Sequence, residues 1–370
     1  MPELADVFRR YAGAYVEKFG DRLLPSHRRA IQDLLECRTE AMGGQIFRCN
    51  HCGHEHYSYH SCRNRSCPKC HRKETEEWLE QRRNELLPVS YFHVVFTLPQ
   101  ELRDTVRRHQ RKVYGILMKA AARALIKLAA DPHYVGGLVG VLAVLHTWTR
   151  ALAYHPHVHC LVPAGGVSAD GTQWWPARTT YLVPEKALAL IFRGMFKKEL
   201  LKELPDLHIP DSVWRTNWVV ECKPAIQGTE KVLNYLARYV HRIAITNNRI
   251  VSIDDGKVAF RYKDSRDDRW KTMTLAANEF IRRFLQHVLP KGFHKVRYYG
   301  LWSPGKRRQL RQVQLVLARE APDPPEPPEP QDCPHGGNHA PAGSDLRCPY
   351  CGQGILIWVA HVRPRRRAPP

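Results

Sequence analysis

At 370 residues the chain is long enough for two or three domains, and Lys plus Arg outnumber Asp plus Glu by 57 to 36, a formal charge of +21. That surplus points to a polyanionic partner, nucleic acid before a membrane surface. No apolar run approaches the ~20 residues of a membrane span and the opening "MPELADVFRRYAGAYVEKF" lacks a signal-peptide core, so a cytoplasmic protein with reduced thiols is expected. Eleven cysteines in such a compartment suggest metal ligands before disulfides.

The first cluster reads "FRCNHCGHEHYSYHSCRNRSCPKCH". Cys49 and Cys52 form one Cys-x2-Cys and Cys67 and Cys70 another. Each tight turn lets two thiolates chelate one ion, and two such knuckles make a tetrahedral structural Zn2+ site, within a zinc-binding domain over residues 1–88. Cys37, Cys62, His51, His54 and His71 crowd the same stretch, and Cys37 with Cys62 could share a second ion. The interleaved Arg63, Arg65, Lys69, Arg72 and Lys73 fit either phosphate contact or a solvated face.

Strand and helix patterns then alternate over residues 89–320, an α+β arrangement. "YFHVVFTLP" (91–99) is a strand stopped by Pro99, and residues 101–130 form one amphipathic helix. Residues 138–148 are an apolar strand. In "HPHVHC" (155–160), His155, His157 and His159 share one strand face. Pro156 has no amide to donate, which starts the strand near His157. "GGVSADGTQWW" reads as a hairpin, 184–204 as a helix, and "VWRTNWVVECKP" (213–224) as a strand. The helix 229–243 sets Tyr235 and Tyr239 one turn apart, beside Lys231, Arg238 and Arg242. A hairpin turns on Asp-Asp-Gly between "RIVSI" and "KVAFRY", and helices follow at 275–288 and 306–319.

Residues 321–332 are a proline-rich acidic linker. Beyond it Cys333, Cys348 and Cys351 make a candidate zinc ribbon over 333–370, with His335 or His339 as fourth ligand, a strand at "ILIWV" and a basic tail.

"HTWTRALAYHPHVHCLVPAGG" together with "VLNYLARYVHRIAITNNRI" resembles the signature blocks of rolling-circle transposases of bacterial insertion sequences, the IS91 type. "HVVFTLP", the cysteine-rich block and "GFHKVRYYGL" resemble three further blocks in the same order, over roughly residues 5 to 310. The resemblance implies an HUH endonuclease: an antiparallel sheet with helices, preceded by the zinc domain and followed by the linker and ribbon. It implies that His157 and His159 ligate a catalytic Mg2+ or Mn2+, that Tyr235 and Tyr239 are nucleophiles, and that single-stranded DNA at element ends is cleaved through a 5′-phosphotyrosine bond. That bond conserves the energy for rejoining, so no nucleotide cofactor is needed. His146 is favoured as third ligand over His155, and Arg238 and Arg242 are assigned to phosphate. Two other functions fit parts of the pattern: an HUH replication initiator or relaxase, and a non-catalytic zinc-ribbon DNA-binding regulator. No helicase-like phosphate loop occurs in the sequence.

Overall fold

The computed structural model describes residues 2–70, 72–178, 180–226, 231–232, 243–320 and 346–365. Its centre is a five-stranded antiparallel sheet built from β3 (Tyr91–Thr97), β4 (Gly140–Trp148), β5 (Tyr154–Pro163), β8 (Val220–Ile226) and β12 (Val296–Gly300), in the order β12-β4-β5-β3-β8. The three inner strands are buried on both faces, and the two faces differ. Phe92, Val94, Phe96, Val141, Ala143, Leu145, Val158, Cys160 and Val162 pack against helices α5 (Gln110–Ala129) and α6 (Glu185–Glu203). On the reverse face Tyr91, Leu142, Val144 and Leu161 meet Trp302 and α9 (Arg307–Glu320), which cover only one end. The other end of that face carries histidines.

Several elements depart from the sequence reading for local reasons. The stretch 101–130 is two helices, α4 (Arg103–Arg108) and α5, because His109 leaves the helical region at φ −121°, ψ 37°. The first part of 213–224 is helical, with α7 at Asp211–Arg215 before β8 begins. β5 begins at Tyr154, ahead of Pro156: the β4–β5 register shifts between His146 and Trp148, and the extra residue on β5 spares Pro156 a ladder donor. The small hairpin is β6 (Gly165–Val167) with β7 (Trp174–Pro176).

A second sheet, β9 (Ile250–Asp254), β10 (Lys257–Lys263) and β11 (Trp270–Ala276), precedes α8 (Ala277–Leu285). The sequence reading places a helix from 275 and lacks β11. The N-terminal helices α1 (Leu4–Phe19) and α2 (Pro25–Glu36), the latter opened by a proline whose fixed φ suits a first turn, were not anticipated either. Phe8 and Leu4 pack with Phe260, Phe280 and Phe284 in one core, so residue 88 is a boundary along the chain but not in space.

The third sheet corrects the domain plan more deeply. β1 (Gly44–Cys49) pairs with β2 (Glu55–Tyr59) on one side and with β13 (Leu356–Val362) on the other. The C-terminal ribbon is therefore part of the N-terminal module. Helix α3 (Arg72–Arg83) leads from that module into the central sheet. Among the described residues no helix is long and apolar enough to cross a membrane.

Candidate functional site

The uncovered end of the central sheet brings three imidazoles together. β4 and β5 pair His146 opposite His157, and His159 opposite Val144, so alternation turns all three rings to one face. Ring centroids lie 4.5 Å apart for His146–His159, 4.8 Å for His157–His159 and 5.5 Å for His146–His157. One nitrogen from each falls within 4.8 Å of the others. His146 is buried at 2 % exposure and stacks on Trp148, while His157 and His159 are half-buried.

Two hydrogen bonds fix which nitrogen each ring of the pair offers. His157 Nδ1 donates to the His155 carbonyl at 2.6 Å, leaving Nε2 as its ligand nitrogen. For His159 to offer Nε2, its proton sits on Nδ1 and is donated to His93 Nε2 at 2.8 Å. His93 lies on β3, stacked 5.1 Å from His159, and the sequence reading passed over it. Burial, with Lys223 and His157 adding to it, holds the His93 imidazole down to about 3, so it is a neutral acceptor. His155, the competitor for third ligand, lies in the same cleft. It is not one of the clustered three, and its Nδ1 lies 3.2 Å from the Arg103 guanidinium.

Three imidazoles at the floor of a cleft, two of them oriented by hydrogen bonds, fit a divalent transition-metal ion, Mn2+ better than the oxygen-seeking Mg2+. That cleft is about 570 Å³ and open to solvent. Its walls are the β4–β5 turn, with Arg150, and the end of the β10–β11 hairpin, with Tyr262, Lys263 and Arg266. Arg249 ties the walls together, donating to the Arg261 carbonyl at 2.8 Å and also to that of Arg150. The turn itself is strained: Leu152 sits at φ 59° with its side chain fully buried. None of these hairpin residues stood out in the sequence. Tyr235, Tyr239, Arg238 and Arg242 lie outside the described residues; of the helix expected over 229–243, Lys231 and Val232 are described as helical, and Val232 is fully buried.

The cysteines regroup. Cys37, Cys62, Cys67 and Cys70 form one set, with Sγ–Sγ distances of 3.4 Å for Cys37–Cys70, 3.6 Å for Cys62–Cys70 and 3.7 Å for Cys37–Cys67. Cys49 and Cys52 form another with Cys348 and Cys351, at 3.7 Å for Cys49–Cys351 and 3.8 Å for Cys52–Cys348. The expectation that Cys49, Cys52, Cys67 and Cys70 share one ion is thereby corrected. Cys49 and Cys52 lie at the tip of the β1–β2 hairpin, while Cys37 and Cys62 flank its base, so a six-residue strand rising about 3.3 Å per residue separates the knuckles. Cys333, His335 and His339 lie outside the described residues. With Zn–S bonds of about 2.3 Å, a tetrahedron has edges of about 3.8 Å, close to the distances in both sets and far beyond a disulfide. Within the first set the hydrogen bond with Cys37 pushes the Cys62 thiol up and pulls the Cys70 thiol down. Of the interleaved basic residues, Arg65 is structural: it donates to the carbonyls of Leu289, Pro290 and Phe293.

A histidine triad at the floor of a cleft, on an antiparallel sheet joined to thiol clusters, offers groups that could hold metal ions, and the comparisons place the chain among DNA-processing enzymes. The transposase zinc-binding domain of the IS91 type matches residues 7–98, and a family described as "Putative transposase" matches residues 140–310. The chain is 42 % identical to "Putative transposase y4qJ" of Sinorhizobium fredii, over 97 % of this chain and 95 % of that one. It is 30 % identical to the transposase for insertion sequence element IS801 of Pseudomonas savastanoi pv. phaseolicola, over 73 % of this chain and 68 % of that one. This protein belongs to the IS91 family of transposases. No solved structure matches it with significance.

Proposed function

We propose that this transposase cleaves and rejoins single-stranded DNA at element ends, with Tyr235 and Tyr239 as nucleophiles and the cleft over His146, His157 and His159 as the reaction site. The observation that carries the reading is the triad itself: three imidazoles, two with ring orientation fixed by hydrogen bonds, open into a cleft walled by Arg150, Lys263 and Arg266. Single-stranded substrate is supported by the hairpin beside the cleft. It joins cations to an exposed aromatic, Trp270, which is 56 % exposed with Arg261 over its ring at 5.2 Å.

In this mechanism Arg150, Lys263 and Arg266 draw the phosphodiester backbone into the cleft, and Arg238 and Arg242 add phosphate contacts. His146, His157 and His159 would hold the Mn2+ or Mg2+ ion, which supplies polarisation of the scissile phosphate. One tyrosine hydroxyl attacks phosphorus. The bond to the 3′ oxygen breaks, that oxygen takes up a proton, and the 5′ phosphate stays esterified to the tyrosine. Attack by a 3′-hydroxyl on this ester reverses the step and rejoins strands without ATP. The second tyrosine serves the second transfer that two element ends require.

The test is a denaturing gel of the protein with labelled single-stranded DNA bearing the element's own ends, with Mn2+ or chelator. A covalent band that needs the metal, and is lost in the Tyr235→Phe/Tyr239→Phe double variant, is the expected result. Tight binding without any adduct on verified ends would instead describe a zinc-dependent DNA-binding regulator.

A further inference from the structure

Two segments far apart in sequence meet at Cys49, Cys52, Cys348 and Cys351, and beyond the backbone ladder of β1 and β13 little apolar surface among the described residues holds them there. Among the described residues, the core shared by β1 and β13 has three buried residues, Cys49, Cys348 and Leu356, backed by Phe47 and Cys351. β13 and its approach leave Ile355, Ile357, Trp358 and Val359 exposed by 54, 55, 51 and 41 %. A three-stranded sheet with so small a core does not hold a strand by apolar burial alone.

The contacts at the junction are those of two interlocked metal knuckles. The backbone amides of His51 and Cys52 donate to Cys49 Sγ at 3.4 Å, and that of Gly354 to Cys351 Sγ at 3.5 Å, the pattern that stabilises thiolate. Asn50 N donates to the Ile355 carbonyl at 3.1 Å, and Ile355 N returns a bond to Asn50 Oδ1 at 2.8 Å. Tyr350 stacks on His54, ring centroids 4.4 Å apart. Gly354 is required by close approach: a Cβ there would collide with Cys49 Sγ.

We propose that Cys49, Cys52, Cys348 and Cys351 bind a zinc ion of their own, and that this ion is what fastens the C-terminal segment to the N-terminal module. The Cys37, Cys62, Cys67 and Cys70 set holds a different ion, entirely within the N-terminal part of the chain. The residues matched by the zinc-binding family model, 7–98, include only half of the ligands of the fastening site. The proposal does not depend on the cleavage chemistry.

Two measurements on the full chain test it. Metal analysis by mass spectrometry should give two zinc ions per chain for the wild type and one for Cys348→Ser/Cys351→Ser. Gly354→Val, which keeps all four thiols, should also fall towards one. A protease site placed within residues 321–345 then permits a clean nick. The nicked wild-type protein should retain its C-terminal fragment on size-exclusion chromatography. Nicked Cys348→Ser/Cys351→Ser, still carrying its other zinc, should lose the fragment. One zinc in the wild type, two in the double variant, or a fragment that stays bound in the nicked double variant would each overturn the proposal.

Discussion

His93 does not line the cleft, yet its hydrogen bond to His159 from behind sets which way that ring faces. An imidazole whose Nδ1 proton has a fixed acceptor offers Nε2 in one direction, and the metal gains affinity without a fourth ligand. Replacing His93 with Leu should weaken Mn2+ binding by roughly 10–100-fold, whereas His93→Gln, whose amide oxygen can accept the same proton, should recover part of it. Calorimetry of Mn2+ binding separates the two; equal affinity in all three proteins would remove His93 from the site. "HPHVHC" and His146 were legible as metal-ligand candidates because histidines at period two in strands share a face. His93 was not, because the facing requires the β3–β5 register, with Val95 opposite His159, and register is set by pairing that no local pattern states.

At the scale of elements, the β10–β11 hairpin forms one wall of the cleft over the histidines. Its sheet packs through Val258 and Phe260 onto α1 and α8, leaving Lys263 and Arg266 at the open end. Lys263→Ala/Arg266→Ala should therefore lower affinity for single-stranded DNA whatever its sequence. If each side chain displaces one counterion, the slope of log affinity against log salt should shrink by about 1.4, from about 0.7 per phosphate contact. A salt titration by fluorescence anisotropy reads it, and an unchanged slope would place the strand elsewhere. The turn at Asp255-Gly256 was legible from Asp-Asp-Gly, with both residues at positive φ, 49° and 70°. β11 was not, since "WKTMTLA" is exposed on much of its length and its apolar alternation is confined to Met273 and Leu275, too short a run to mark a strand.

For the molecule as a whole, burial holds three of the described histidines neutral, His93 and His287 in the interior and His27 half-buried. Burial holds His27 at about 4, His93 at about 3 and His287 at about 4. The unfolded chain protonates these near 6.5, before the folded protein does. Stability from this source is therefore complete above about pH 6.5 and is lost as pH falls towards 4. His287, fully enclosed and within hydrogen-bond reach of Thr147 and the Leu152 carbonyl, accounts for on the order of 3 kcal/mol of that loss. Urea midpoints at pH 7.5, 6 and 5 should fall steadily, and less in His287→Gln. Zinc content should be followed in parallel, because thiolate ligands protonate in acid as well.

The long-range assembly was the least legible layer. A Cys-x2-Cys pair announces a knuckle, but its partner is chosen by the fold, and the nearest pair in sequence was the wrong one for Cys49 and Cys52. The turn that carries Cys348 and Cys351 follows them by most of the chain's length. That separation has a consequence during synthesis. Cys348 emerges 296 residues after Cys52, an interval of about 15–60 s at roughly 5–20 residues per second. For that time the tip of the β1–β2 hairpin waits with half of its sulfur ligands and an unpaired β1 edge, open to oxidation, to stray metal and to other strands. The β1–β2 hairpin is made long before the residues that complete it.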